Sequence, residues 1–234
     1  GSRRVIIGNG HEIVINGESC LADPSGALWH GASRSLIVSD LHLEKGSSFA
    51  RRGMMLPPYD TVATLMHLRR VLDYYEPQRV IALGDSFHDR DAANRLADAE
   101  REKIADMQKN RDWIWISGNH DPAPPQGLAG DVATDMRMGA LILRHEPQSG
   151  VVEGEVAGHL HPVARVVTPR GSLRRRCFVS DGSRCILPAF GVYAGGLNIR
   201  DEAFAPLFVT RAPVAHVLGR DRIYSVAHEQ CGVD

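Results

Sequence analysis

The sequence has no C-x-x-C pair, no apolar run long enough to cross a bilayer and almost no net charge. Each absence removes a class of protein. The four cysteines, Cys20, Cys177, Cys185 and Cys231, are widely scattered, which argues against a thiolate zinc site and reads as reduced thiols in a cytoplasmic protein. A membrane helix needs roughly 20 consecutive apolar residues, and none is present, so no membrane partner is expected. No charged-then-apolar secretory segment opens the chain. A net charge of −1 supplies no global field for nucleic acid, so any such contact must come from a local basic patch. Internal repeats, low-complexity tracts and obvious linkers are also missing. The 234 residues, 43% hydrophobic and 24% charged, read as one globular domain over 3–234, with Gly1-Ser2 set aside as a tag remnant.

What is present is a series of apolar strands, each ending in polar residues of one chemical kind. In VIALGDSFHD (80–89), four apolar residues read as a buried strand, Gly84 ends it, and Asp85 stands at its carboxyl end. That end is where open α/β sheets bind ligands. The segment SLIVS (35–39) delivers Asp40-Leu41-His42 in the same way, and WIWIS (113–117) delivers Gly118-Asn119-His120-Asp121. Between the first two strands, apolar residues at helical spacing run from Pro57-Pro58 to Tyr75, and Pro77 stops them. Strand, helix, strand predicts parallel strands. Residues 4–30 carry hairpin signals, and residues 90–110 read as a solvated amphipathic helix. After residue 130 no strong helix is expected. Strands are expected at 140–143, 155–157, 163–168, 177–179, 204–210, 214–218 and 223–226, which predicts a sheet-on-sheet core flanked by helices.

Five pieces recur at strand ends: Asp40-x-His42, Gly84-Asp85, Gly118-Asn119-His120-Asp121, His145 and Gly158-His159-Leu160-His161. Oxygen and nitrogen donors without thiolate suit Mn²⁺, Fe or Zn²⁺. If strand geometry persists, Asp40 and His42 point the same way and grip one ion. The same holds for His159 and His161, although a loop could aim them at two neighbouring ions. Two cations about 3.5–4 Å apart clamp an in-line displacement at phosphorus and need a shared carboxylate. Asp85, from the middle strand, is the best placed.

These five blocks, over residues 40–161, resemble those of the calcineurin-like metallophosphoesterases. The resemblance implies an α/β (or α+β) four-layer αββα sandwich of two mixed β-sheets flanked by helices. It assigns Asp40, His42, Asp85 and His161 to one divalent ion, and Asp85, Asn119, His145 and His159 to the other. It makes His120 the residue that touches the scissile phosphate and protonates the leaving oxygen, with Asp121 orienting its ring. At a finer level SDLHLEKG (39–46), GDSFHD (84–89) and FGVYAGGLN (190–198) resemble the ligase-associated DNA damage response endonucleases. That implies two Mn²⁺ ions, cleavage of single-stranded DNA, and bacterial repair proteins (ligase, exonuclease, helicase) encoded nearby. A rival reading keeps the metals but takes a small substrate, such as a cyclic nucleotide or a phosphomonoester. A catalytically dead scaffold would be expected to lose ligands, and none is missing.

Substrate contacts are less marked. His88 stands where a substrate group could lie, and Arg51-Arg52 follow the D-x-H block, where a polyanion groove would need charge. Arg174-Arg175-Arg176 form a second basic cluster, in what reads as a hairpin turn. Trp113 and Trp115 alternate with isoleucines and read as core. Gly195-Gly196, with Tyr193, could pass near the active site, and a tight turn between strands is the simpler reading.

Overall fold

The computed structural model describes residues 4–43, 60–87, 96–117, 127–191 and 195–234. Its first sheet runs β1 (His11–Ile15), β2 (Glu18–Ala22), β3 (Leu28–His30), β4 (Ser35–Val38), β5 (Arg79–Leu83), β6 (Asp112–Ile116) and β7 (Asp131–Ala133), each hydrogen-bonded to the next. The first four strands form an antiparallel meander. Asn16 (φ 47°) and Gly17 (φ 82°) supply the two left-handed residues of a type I′ hairpin between β1 and β2. From β4 to β7 every pairing is parallel, as the strand–helix–strand order predicts. Strands covered on both faces lose the polar alternation of an exposed sheet, and all four residues of β4 are buried.

Helix α1 (Asp60–Tyr75) makes the β4–β5 crossover and buries Thr61, Thr64, Leu65, Leu68, Val71, Leu72 and Tyr75 at three- and four-residue intervals. Glu76 (φ 47°) ends it in a left-handed cap before Pro77. Helix α2 (Asp98–Gln108) lies beside it and buries Ile104 and Met107. The two helices cover Leu36, Val38, Val80, Ala82, Trp113 and Trp115, so both tryptophans are core.

The second sheet has the order β14-β11-β12-β13-β10-β9-β8. Its strands are β8 (Asp135–Met138), β9 (Leu141–Arg144), β10 (Glu155–Ala157), β11 (Pro162–Thr168), β12 (Gly171–Ser180), β13 (Cys185–Ile186) and β14 (Leu197–Asn198). Strands β15 (Val214–Leu218), β16 (Ile223–Ala227) and β17 (Cys231–Gly232) extend it: β15 on β12, β16 on β15, β17 on β11. The sheets face each other through Ile37, Ile81, Leu83 and Ile116 on one side and Leu141, Leu143, Val156 and Phe178 on the other. This is a sandwich of two mixed sheets, with the α-helical layer on the outer face of the first. On the outer face of the second sheet, among the described residues, the covering layer is a 3-10 turn, Glu202–Leu207.

That turn replaces the strand expected at 204–210. Asp201 caps it by accepting a hydrogen bond from Ala203 N–H, Pro206 sits inside it, and Phe204 and Leu207 are buried three residues apart, a spacing that aligns side chains on a helical turn and not on a strand. Arg174–Arg176 also differ from expectation. They lie within the ten-residue strand β12, and the turn falls earlier, between Thr168 and Gly171. No helix of the described residues is long and apolar enough to cross a membrane.

Candidate metal centre

The segments that follow β4 and β5 continue side by side beyond the strands. Asp40 N–H donates to Gly84 O, His42 N–H to Asp85 O and Leu43 N–H to Ser86 O. Asp40 (φ 53°), His42 (φ 47°), Asp85 (φ 47°), His159 (φ 72°) and His161 (φ 50°) all adopt left-handed backbone conformations. Asp and His tolerate this region better than most residues. Each such position costs about 1–3 kcal/mol and persists only where the surroundings enforce it. Asp40 and His42 therefore converge by two left-handed turns about the buried Leu41, not by the strand alternation that their spacing predicts.

Two groups of ligand atoms result: Asp40, His42 and His161, and Asp85, His145 and His159. In the first, His161 Nε2 lies 3.3 Å from Asp40 Oδ1 and 3.1 Å from His42 Nε2, and His42 Nε2 lies 3.8 Å from Asp40 Oδ1. In the second, His145 Nε2 lies 3.2 Å from both Asp85 Oδ2 and His159 Nδ1. Donors about 2.1 Å from a shared cation stand roughly 3.0–3.4 Å apart in octahedral to tetrahedral shells. Four of the five separations fall in that range. Asp40 Oδ1 is buried with no hydrogen bond reaching it among the described residues, which leaves a carboxylate oxygen aimed into the space the imidazoles surround. The residues fit divalent cations.

Neighbouring groups aim these donors. Asp40 Oδ2 accepts from the Ser39 hydroxyl (2.6 Å) and from His159 N–H (3.0 Å), which leaves Oδ1 for a cation. A carbonyl can only accept, so the ring nitrogen against it carries the proton. His145 Nδ1–H donates to Leu83 O (2.7 Å), and His161 Nδ1–H donates to Gly195 O (2.9 Å). Both rings then present Nε2 as the lone pair. The sequence reading gives Ser39 no role, and it gives Gly195 no orienting role although it allows that Gly195-Gly196 pass near the site. The serine could have been singled out by its place beside the D-x-H block. The glycine acts through its carbonyl, which no side-chain pattern reveals.

Burial opposes ionisation of Asp40, but the neighbouring His161, 3.3 Å away, the charge of His145 and the Ser39 hydroxyl outweigh it and hold the carboxyl below its usual range. Burial likewise disfavours the charged form of His145. The Asp85 hydrogen bond, the charges of Asp40 and Asp85 and the Leu83 carbonyl overcome that and raise its pKa from 6.5 to about 9. The metal-free protein thus carries a proton on His145 at neutral pH, and a cation must displace it. Metal uptake at pH 7.5 is expected to release about one proton per chain from this group, and the release should vanish as pH rises past 9. Calorimetric titration in buffers of different ionisation enthalpy measures it.

Asn119, His120, Asp121, His88, Arg51 and Arg52 lie outside the described residues. Every other residue singled out for the metals, Asp40, His42, Asp85, His145, His159 and His161, falls in one of the two groups. Asp85 sits with His145 and His159. The groups adjoin, since His145 Nδ1 is 3.9 Å from Asp40 Oδ1.

Residues 33–183 match the family model of calcineurin-like phosphoesterases. The chain belongs to the calcineurin-like phosphoesterase family. Among solved structures it is similar to the nuclease MPE of Pseudomonas putida, with 32% identity and a TM-score of 0.72 over 93% of this chain and 100% of that one. A second similar structure is Yfce, a phosphoesterase from E. coli, at 13% identity and a TM-score of 0.42 over 82% of this chain and 98% of that one. Comparison with curated protein sequences returns no match.

The phosphoesterase centre depends on two close backbone approaches. A Cβ on Gly84 (φ 75°) would stand 2.6 Å from Cγ and Nδ1 of His145, and one on Gly158 would collide with Ser39 Oγ and stand 2.6 Å from Asp40 Oδ2. Gly84→Ala must therefore displace the His145 ring from Leu83 O. A roughly 10- to 100-fold loss of metal affinity is expected, measurable by metal titration of the folded variant.

Proposed function

We propose that this hydrolase is a two-metal phosphodiesterase that cuts single-stranded DNA, with Mn²⁺ as its working ion and one domain over 3–234. The observation that carries the reading is the pair of adjoining three-donor groups with cation-shell spacings, in a chain 32% identical over 93% of its length to a nuclease. Asp40, His42 and His161 would hold one ion and His145, His159 and Asn119 the other, with Asp85 shared between them. When bound, such ions supply a water of lowered pKa and positive charge for the phosphate oxygens.

The chain's own residues do the rest. The Leu83 and Gly195 carbonyls keep His145 and His161 in the tautomer that offers Nε2. Ser39 and His159 N–H hold Asp40 with one oxygen free. His120 would contact the scissile phosphate and hand a proton to the departing 3′-oxygen, a poor leaving group without one, while Asp121 fixes its ring. His88, Arg51 and Arg52 would meet the substrate. A role in bacterial repair beside a ligase, exonuclease and helicase follows from the family likeness. The four free, buried cysteines support a reducing, cytoplasmic setting.

Nicking of circular single-stranded DNA under Mn²⁺, run beside hydrolysis of bis(p-nitrophenyl) phosphate, tests the substrate. Nicking is expected. Turnover of the ester with the DNA left whole would point instead to a small substrate. His120→Ala separates the proton-donor role. It should slow DNA cleavage by about 10²–10⁴-fold and ester hydrolysis far less, because p-nitrophenolate leaves without a proton.

A further inference from the structure

The β11–β12 hairpin carries arginines in a pattern that the metal centre does not use. Its register pairs Arg165 with Arg174 and Val163 with Arg176. Paired residues in an antiparallel ladder share a face, and alternate residues of one strand do too. Arg165, Arg174 and Arg176 therefore stand on one face, and Arg175, opposite Ala164, stands on the other.

Two tethers turn the three-arginine face toward the metal centre. Arg176 Nη1 donates to Ala189 O (2.8 Å). The next two residues, Phe190 and Gly191, donate their N–H groups to Ser39 O and Asp40 O, so Arg176 braces the strap that runs along the Asp40 segment. Arg174 Nη2 reaches Gly196 O at 3.5 Å, and the preceding carbonyl, Gly195 O, orients His161. Beyond these tethers the face opens to solvent. Arg174 is exposed and pairs with Asp234 at 3.2 Å, an exposed ion pair of the kind that contributes little and yields to a competing anion. Arg165 is held by Ser172 Oγ and Val233 O, neither of which neutralises its charge.

We infer that the open part of this face, with Arg174 exposed and Arg165 half-exposed beyond the largely buried Arg176, is a ramp for the phosphodiester backbone of a single nucleic-acid strand, leading it to the Asp40–His161 side of the metal centre. The inference rests on the phosphodiesterase reading and adds where the strand lies. Guanidiniums grip phosphates without reading bases, so the ramp confers affinity and position, not sequence preference. It also accounts for strand binding by a chain of net charge −1, because the positive charge is concentrated where the strand enters.

The test compares Arg165→Gln/Arg174→Gln with Arg175→Gln, which removes charge from the opposite face of the same hairpin. Anisotropy of labelled oligo-dT and oligo-U, with chelator present to prevent cleavage, gives affinity against salt. KM and kcat on the same oligonucleotides and on bis(p-nitrophenyl) phosphate are measured with Mn²⁺. The double variant should bind both strands about tenfold more weakly, and its salt slope should fall by about 1.4, near 0.7 per lost contact. Its KM on oligonucleotides should rise while kcat stays within about twofold, and Arg165→Lys/Arg174→Lys should restore the slope. Arg175→Gln should change affinity by less than about twofold. Equal losses in Arg175→Gln and the double variant, or an unchanged salt slope in the double variant, would overturn the ramp. So would a parallel loss of ester turnover, which would mean that the arginines act through the metal centre. If the wild-type protein hydrolyses the ester but neither binds nor cuts either strand, the nuclease reading fails and takes the ramp with it. If it cuts DNA and the double variant cuts equally well, the ramp alone fails.

Discussion

Asp85→Ala is expected to lower phosphodiester turnover by roughly 10³-fold, on DNA and on the activated ester alike. Asp85 Oδ2 lies 3.2 Å from His145 Nε2, and as the shared carboxylate it would contribute to both cation shells. Its loss also removes the hydrogen bond and charge that help hold a proton on His145, so the His145 pKa should fall from about 9 toward its ordinary value. The two readouts separate causes. A variant that is merely misfolded loses turnover without a defined His145 titration. A folded variant lacking the bridge keeps a defined His145 resonance by NMR that titrates at lower pH than in the wild type.

The second large effect is on stability. Arg184 and Glu155 form a buried ion pair, 1% and 0% exposed, with Nη2 and Oε1 2.8 Å apart. Arg184 also donates to the carbonyls of Gln148, Gly150 and Leu207, so it pins the loop that follows His145. Removing Arg184 leaves the buried Glu155 carboxylate, among the described cations, with only the longer Arg144 contact at 3.5 Å, and breaking such a buried pair costs about 3–5 kcal/mol. Arg184→Met should therefore lower Tm by about 10 °C, at roughly 2–4 °C per kcal/mol for a chain of this size. Burial already raises the Glu155 pKa, against Arg184, Arg144 and the Gln148 N–H, and losing Arg184 raises it further. An acid with a raised folded pKa binds more protons folded than unfolded, so stability falls as pH rises through that range. The deficit of Arg184→Met should shrink as pH drops from 7 toward 5. Glu155→Gln/Arg184→Met should be more stable at pH 7 than Arg184→Met alone. Calorimetric melting across pH checks both.

The strands that carry ligands were legible because each is an apolar run closed by Asp, Asn or His, and such runs survive any tertiary context that buries both faces. Asp40, His42, Asp85, His145, His159 and His161 could be read for the same reason. How they converge could not. Spacing placed Asp40 and His42 on one strand face, whereas left-handed backbone at both positions does the work, and conformation at a strand end depends on the neighbouring loop. The orienting carbonyls of Leu83 and Gly195 were invisible, since every residue carries a carbonyl. The Glu155–Arg184 pair joins positions far apart in the chain through sheet pairing, which no local pattern encodes. The misread strand at 204–210 had its correction nearby, in a capping Asp201 and a Pro206 that strands disfavour. The arginines of β12 mislead in the opposite sense: a charge run reads as a turn because the exposed end of a long strand carries no apolar alternation.

Two cations held side by side are what the proposed chemistry requires. Anomalous X-ray scattering from crystals of the Mn²⁺-loaded protein measures this directly. Two peaks are predicted, about 3.5–4 Å apart, one against Asp40, His42 and His161 and the other against His145 and His159, with Asp85 between them. A single peak, or two peaks away from these side chains, would contradict it.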